Sequence, residues 1–135
     1  MIARKYASRP DLRDQPIPDP DSVLYTNGTS LVKQGQRMSG YAVVMGEAIV
    51  EASSLPSHWS AQQVELYALI QALQLSKGKK TNIYADSRYA FATLQGSVSG
   101  ERPLTASGKD IKNKEEIKTL LDAAWEPERV AVIHC

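Results

Sequence analysis

The chain has 135 residues, 42% hydrophobic and 23% charged, with a formal net charge of +1. That length suits one domain able to bury its own core, and the small charge excludes the strong basic field usual in dedicated nucleic-acid binders. A lone cysteine, Cys135, excludes an internal disulfide, and no membrane-length apolar run or signal-type leader is seen, so the expectation is an intracellular protein with no membrane partner.

Residues 1–21 contain Pro10, Pro16, Pro18 and Pro20 and read as a linker or extended arm, because proline removes backbone donors and disfavours helix at the preceding residue. Residues 22–135 read as one domain. Residues 23–26 have strand character and are expected to stop at Asn27-Gly28, a turn-favouring dipeptide. Residues 41–45 and 48–52 form a hairpin across Gly46-Glu47. Ser60 and Gln63 make a capping box for a helix in which Leu66, Leu69, Ile70 and Leu73 recur at helical spacing until Gly78. Residues 81–85 are a short strand, 87–94 a helix closed by Gly96, and 96–108 a Gly- and Ser-rich loop. Ile117, Leu120, Leu121 and Ala124 mark an amphipathic helix over 113–125, stopped by Pro127, and 129–133 form a last strand. The order β-β-β-α-β-α-α-β predicts an α/β fold: a mixed five-stranded sheet of three antiparallel strands followed by strand–helix crossovers, with helices on one face.

Two acidic residues stand where this topology can bring distant positions together. Glu65 shares a helix face with Ala68, Leu69 and Ala72, a small-residue face suited to lying on a sheet. A partly buried glutamate there requires a cation or hydrogen-bond donors, although Glu65 is equally a helix-start glutamate favoured by the macrodipole. Asp86, between a strand and a helix, is either a ligand position or a plain N-cap.

Five segments carry a family resemblance. Tyr25-Thr26-Asn27-Gly28-Thr29-Ser30, the run Ser-Ala-Gln-Gln-Val-Glu-Leu-Tyr-Ala-Leu at 60–69, and Tyr-Ala-Asp-Ser-Arg-Tyr-Ala-Phe-Ala-Thr at 84–93 are the first three. Gly-Lys-Asp-Ile-Lys-Asn-Lys-Glu-Glu-Ile at 108–117 and Ile133-His134-Cys135 complete the set. In order and spacing they resemble the gammaretroviral ribonuclease H domain from about residue 22 onward. The resemblance implies a ribonuclease H-like fold, here lacking the C-terminal helix. It also implies a site of four carboxylates holding two magnesium ions and a substrate that is the RNA strand of an RNA–DNA hybrid.

Carried over by position, Glu65 matches the second carboxylate and Asp86 the third, while Asn27 stands at the first. The fourth belongs to a helix after the last strand. Gly28, Ser30, Ser87, Arg88 and Tyr89 match substrate-contacting positions and are equally turn and capping residues. Gln63 replaces a basic residue, and the basic grip over 96–108 is reduced to Arg102. A neutral amide is a poor bridge between magnesium ions, and removing one transition-state partner commonly lowers rates by about 10²–10³. The expectation is therefore a pseudoenzyme rather than an enzyme, a domesticated retroviral domain acting as an interaction module in a larger protein. No cofactor is expected, magnesium being that of active relatives, with Glu65 and Asp86 as remnant ligands. The alternative is an RNA–DNA hybrid ribonuclease, or a weak non-cleaving binder of RNA or hybrid using Arg88, Lys109, Lys112 and Lys114. Val43, Ile49 and Val132 are expected on an uncovered sheet face that takes a protein partner or residues 1–20.

Overall fold

Along β1 (Ser22–Lys33) Leu24 and Thr26 are buried while Tyr25, Asn27 and Thr29 are open, the period-two pattern of a strand with one face against helices. The computed structural model describes residues 9–98 and 113–135. β1 turns back through Gln34 and Gly35, with φ of 53° and 77°, into β2 (Gln36–Met45). This two-residue loop with positive φ at both positions matches the twist of hairpin strands. β2 pairs antiparallel with β3 (Ala48–Leu55) across Gly46, as expected, with a register shift between Val43 and Val44.

The expected stop at Asn27-Gly28 is not observed. β1 continues through both residues, pairing Asn27 with Ala42 and Gly28 with Tyr41. The glycine serves a close approach instead of a turn. A Cβ at residue 28 would lie 3.0 Å from Cγ1 of Val64 and 3.2 Å from its carbonyl oxygen, so only glycine lets the strand lie this near the first helix.

That helix, α1 (Ala61–Leu75), begins with the expected capping box. Ser60 Oγ accepts from the Gln63 amide at 3.1 Å, and Gln63 Oε1 accepts from the Ser60 amide at 2.9 Å. β4 (Lys80–Ala85) then lies parallel to β1, and β5 (Arg129–His134) parallel to β4, giving the sheet order β3-β2-β1-β4-β5. α2 (Arg88–Val98) and α3 (Lys114–Ala123) complete the predicted order. α2 runs through Gly96 instead of closing there. The expected loop from residue 99 to 108, with Arg102, lies outside the described residues, as do Lys109 and Lys112. Among the described residues no helix is long and apolar enough to cross a membrane.

The core fills the space between sheet and helices with Leu66, Leu69, Leu73, Leu120 and Leu121 against Val43, Ile83, Val130 and Val132. Each such buried side chain contributes roughly 1.5–3 kcal/mol relative to exposure. Two residues expected on an uncovered face are therefore in this core: Val43 and Val132 are both 0% exposed, and only Ile49 is open, at 68%. Alternation explains the difference, since Val43 shares its strand face with Tyr41, which packs edge-on against Tyr67 of α1 at 5.1 Å. The opposite face carries Tyr25 and Tyr84, stacked at 5.0 Å.

The described part of the N-terminal arm is packed onto the domain. The Arg13 amide donates to Val130 O at 3.3 Å and the Val132 amide to Arg13 O at 2.9 Å, adding backbone to the outer edge of β5. Asn82 grips the arm through Ile17, accepting from its amide at 2.9 Å and donating to its carbonyl at 3.1 Å. Leu12, Ile17 and Arg9 are buried. The Arg9 guanidinium donates to Ala124 O at 3.2 Å, to Pro127 O at 2.5 Å and to Glu128 O, and pairs with Asp11 at 2.6 Å. It thereby closes the C-terminal end of α3 and the turn into β5.

Candidate active site

The last rung between β1 and β4 pairs Thr26 with Ala85. Asn27 and Asp86 are the next residues on each strand, so the two are delivered side by side at the C-terminal end of β4. Asn27 points with Tyr25 and Thr29 away from α1, where it lines a shallow groove of about 440 Å³ floored by Gly40, Ala42, Ala52 and Ser54. Glu65 comes from the second turn of α1, which rests on Gly28; a Cβ at 28 would lie 3.4 Å from the Glu65 Cα. Glu65 is half-buried, whereas Asn27 and Asp86 face solvent.

Ser87 ties these pieces together. Its Oγ accepts from the Ala90 amide at 3.0 Å and donates to Glu65 Oε1 at 2.8 Å. The α2 N-cap is thus Ser87, and the reading of Asp86 as a plain cap is corrected. Although Asp86 is exposed as a whole residue, its carboxyl is pushed above the usual aspartate value, first by partial burial and then by the negative charge of Glu65. Its own backbone amide and the nearby His134 act in the opposite direction. His134, at the end of β5, lies 5.7 Å from the Phe91 ring.

The other candidate positions divide. Gly28 supplies packing. Ser87 is 7% exposed and directed inward. Arg88 is exposed, as a phosphate contact requires. Tyr89 is half-buried, and its hydroxyl accepts from Asn113 Nδ2 at 3.2 Å, tying α2 to the start of α3. Ser30 lies further along β1, paired with Ser39. Gln63, in addition to its capping role, donates to Glu116 Oε2 at 3.2 Å. Sequence reasoning missed the Ser87–Glu65 bond and the His134 effect. The adjacent Asp-Ser before a helix was the available signal, since two potential caps in a row leave one side chain for another task.

The donors gathered here are hard oxygens, the type preferred by magnesium. Glu65 and Asp86 repel each other, so a cation between them would relieve a strain already present. Among the described residues no cluster of three or more His, Cys, Asp or Glu side chains forms a complete metal cage. The set amounts to two carboxylates and the neutral amide of Asn27.

The RNase H family model matches residues 19–135. The chain belongs to the RNase H family. It is 48% identical to the Pol polyprotein of Radiation murine leukemia virus (strain Kaplan) over 138 residues, covering all of this chain and 24% of that protein. It is 52% identical, again over all of this chain, to the Gag-Pol polyprotein of Koala retrovirus and to the Pol polyprotein of Feline endogenous virus ECE1. Those alignments cover 8% and 13% of the respective proteins. The chain thus spans a quarter or less of the curated relatives it matches.

This corrects the expectation that the chain is not an enzyme. Identity of 48–52% extends over all of this chain, and the RNase H family model matches residues 19–135.

Proposed function

We propose that this chain is a metal-dependent ribonuclease domain acting on the RNA strand of RNA–DNA hybrids, as part of a longer retroviral Pol-type polyprotein. The observation that carries this reading is Glu65 held at 2.8 Å by Ser87, the residue next to Asp86 at the end of β4, in a chain matching RNase H over residues 19–135.

Glu65, Asp86 and the amide oxygen of Asn27 are the residues that would hold a divalent cation, magnesium being the natural choice for oxygen ligands. When bound, such an ion supplies Lewis-acid polarisation of a phosphoryl oxygen and a water of lowered pKa. The chain's own residues supply placement. Ser87 orients Glu65, Gly28 sets the distance of α1 from β1, and Asp86 projects outward toward substrate. Arg88, two residues after Asp86, is an exposed cation beside the site for phosphate contact. With a net charge of only +1, hybrid binding is expected to be modest and to weaken steeply with salt.

The test is hydrolysis of a hybrid labelled on its RNA strand, with magnesium or manganese, by the chain and by its Glu65→Gln and Asp86→Asn variants. Metal-dependent cleavage of the RNA strand, lost in both variants, is expected. Cleavage unchanged in Glu65→Gln would reject the reading.

A further inference from the structure

We propose that Ser87 is a positioning residue of this site, whose hydroxyl fixes the Glu65 carboxylate for metal ligation and is not a substrate contact. The inference rests on the hydrolase reading above. A serine hydroxyl has one proton and two acceptor lone pairs. At Ser87 one lone pair receives the Ala90 amide at 3.0 Å, which anchors the oxygen to the first turn of α2. The single proton is then directed to Glu65 Oε1 at 2.8 Å. Such a bond to a carboxylate is charge-assisted and stronger than one between neutral partners. The residue is 7% exposed, so no hydroxyl proton remains for a phosphate or sugar outside.

Three consequences follow for Glu65. A glutamate has three side-chain torsions, and an unanchored carboxylate would sample several positions before a cation found it. Hydrogen bonding at Oε1 restricts those torsions in advance and leaves Oε2 as the oxygen a cation would take. The same bond also sets the spacing of the two carboxylates, because Asp86 is covalently next to Ser87. One hydroxyl therefore joins α1, β4 and α2 at the point where the ligands must converge.

Outer residues that orient metal ligands typically change metal affinity or activity by about 10–100-fold when removed. The helix-capping role must be separated from the orienting role, and glycine does this, because it is tolerated at an N-cap but carries no hydroxyl. Manganese binding is measured by calorimetry for the wild-type chain, Ser87→Gly, Ser87→Ala and Ser87→Thr, each also in an Asn27→Asp background. Melting temperatures are recorded alongside. Ser87→Gly and Ser87→Ala are expected to weaken manganese binding by about 10-fold or more, with Ser87→Gly melting near wild type and Ser87→Thr restoring affinity. In hybrid cleavage, kcat should fall while KM for the hybrid stays within about twofold, as for an interaction absent from substrate binding. Wild-type manganese affinity in Ser87→Gly would reduce Ser87 to a cap, and a raised KM with unchanged metal binding would make it a substrate contact; either result overturns the proposal. If neither the wild-type chain nor Asn27→Asp binds manganese or cleaves the hybrid, the hydrolase reading itself fails and this inference falls with it.

Discussion

Asn27 and Asp86 are the first residues beyond the last shared rung of β1 and β4, Thr26 opposite Ala85, so an amide and a carboxylate leave neighbouring parallel strands together. Glu65 approaches from α1 on the other side of the strand end, held by Ser87. Position 27 is a place where exchanging NH₂ for O changes the charge of the site with little effect on packing, because the side chain is exposed.

Asn27→Asp should raise the rate of hybrid cleavage. An interaction aimed at transition-state charge is commonly worth about 10²–10³ in rate, and the gain should appear mainly in kcat. A labelled hybrid assayed at saturating magnesium gives the comparison. Equal rates for the two proteins would show that residue 27 does not contribute to the metal site.

Protonation of Asp86 gives a second expectation. Its carboxyl is raised above the ordinary aspartate value by burial and then by Glu65. Between the unfolded and folded values the folded protein binds more protons, so its stability falls as pH rises through that window. Above the window the charged form is a standing penalty, and below the ordinary aspartate value it is absent. Asp86→Asn should therefore melt higher than wild type at pH 7 without metal, and the difference should shrink as pH falls to the ordinary carboxylate range. A constant difference across pH would assign the effect to something other than charge.

Much of this arrangement was legible in the chain. Leu66, Leu69, Ile70 and Leu73 at helical spacing gave α1, and Ser60 with Gln63 gave its start. The element order and the mixed five-stranded sheet followed from the alternation of element types. Asn27-Gly28 misled because the same dipeptide serves a hairpin turn and a strand that must touch a helix; only the neighbour at Val64 decides between them. The turn at Gln34-Gly35 was passed over because Gln is not a usual residue for positive φ. Val43 and Val132 were assigned to the wrong face because a single β-branched residue does not reveal which way its strand is turned. The Ser87–Glu65 bond joins positions 22 residues apart, and no local pattern encodes such a contact.

Gly28→Ala tests the close approach directly. The added methyl meets Val64 Cγ1 at 3.0 Å and Val64 O at 3.2 Å, and the second of these is helix backbone that cannot swing aside. Overpacking of this kind costs about 1–3 kcal/mol, read as a lower urea midpoint. α1 should also shift away from β1, carrying Glu65 with it, so metal-dependent cleavage should drop more than the stability loss alone explains. Retention of full activity in the folded variant would show that the Glu65 position is not set by Gly28.

The N-terminal arm makes the last prediction. Arg9 is 7% exposed and serves three main-chain carbonyls, Ala124, Pro127 and Glu128, that otherwise end α3 and its following turn without donors from the helix. Its partner Asp11 is 53% exposed at the side chain, so their ion pair is largely solvated and contributes little by itself. The two residues should therefore respond unequally to removal, although they form one salt bridge. Arg9→Met, which keeps an unbranched apolar side chain but strips the donors and the guanidinium that lies over Trp125, should lower stability by about 2–4 kcal/mol, mainly through the unsatisfied carbonyls. Asp11→Ala should change it by no more than about 1 kcal/mol. Urea unfolding of both variants measures the contrast. Equal losses would mean that the salt bridge, and not the capping of α3, is what Arg9 contributes; no loss in either would mean that the Arg9 contacts add nothing to the stability of the RNase H domain.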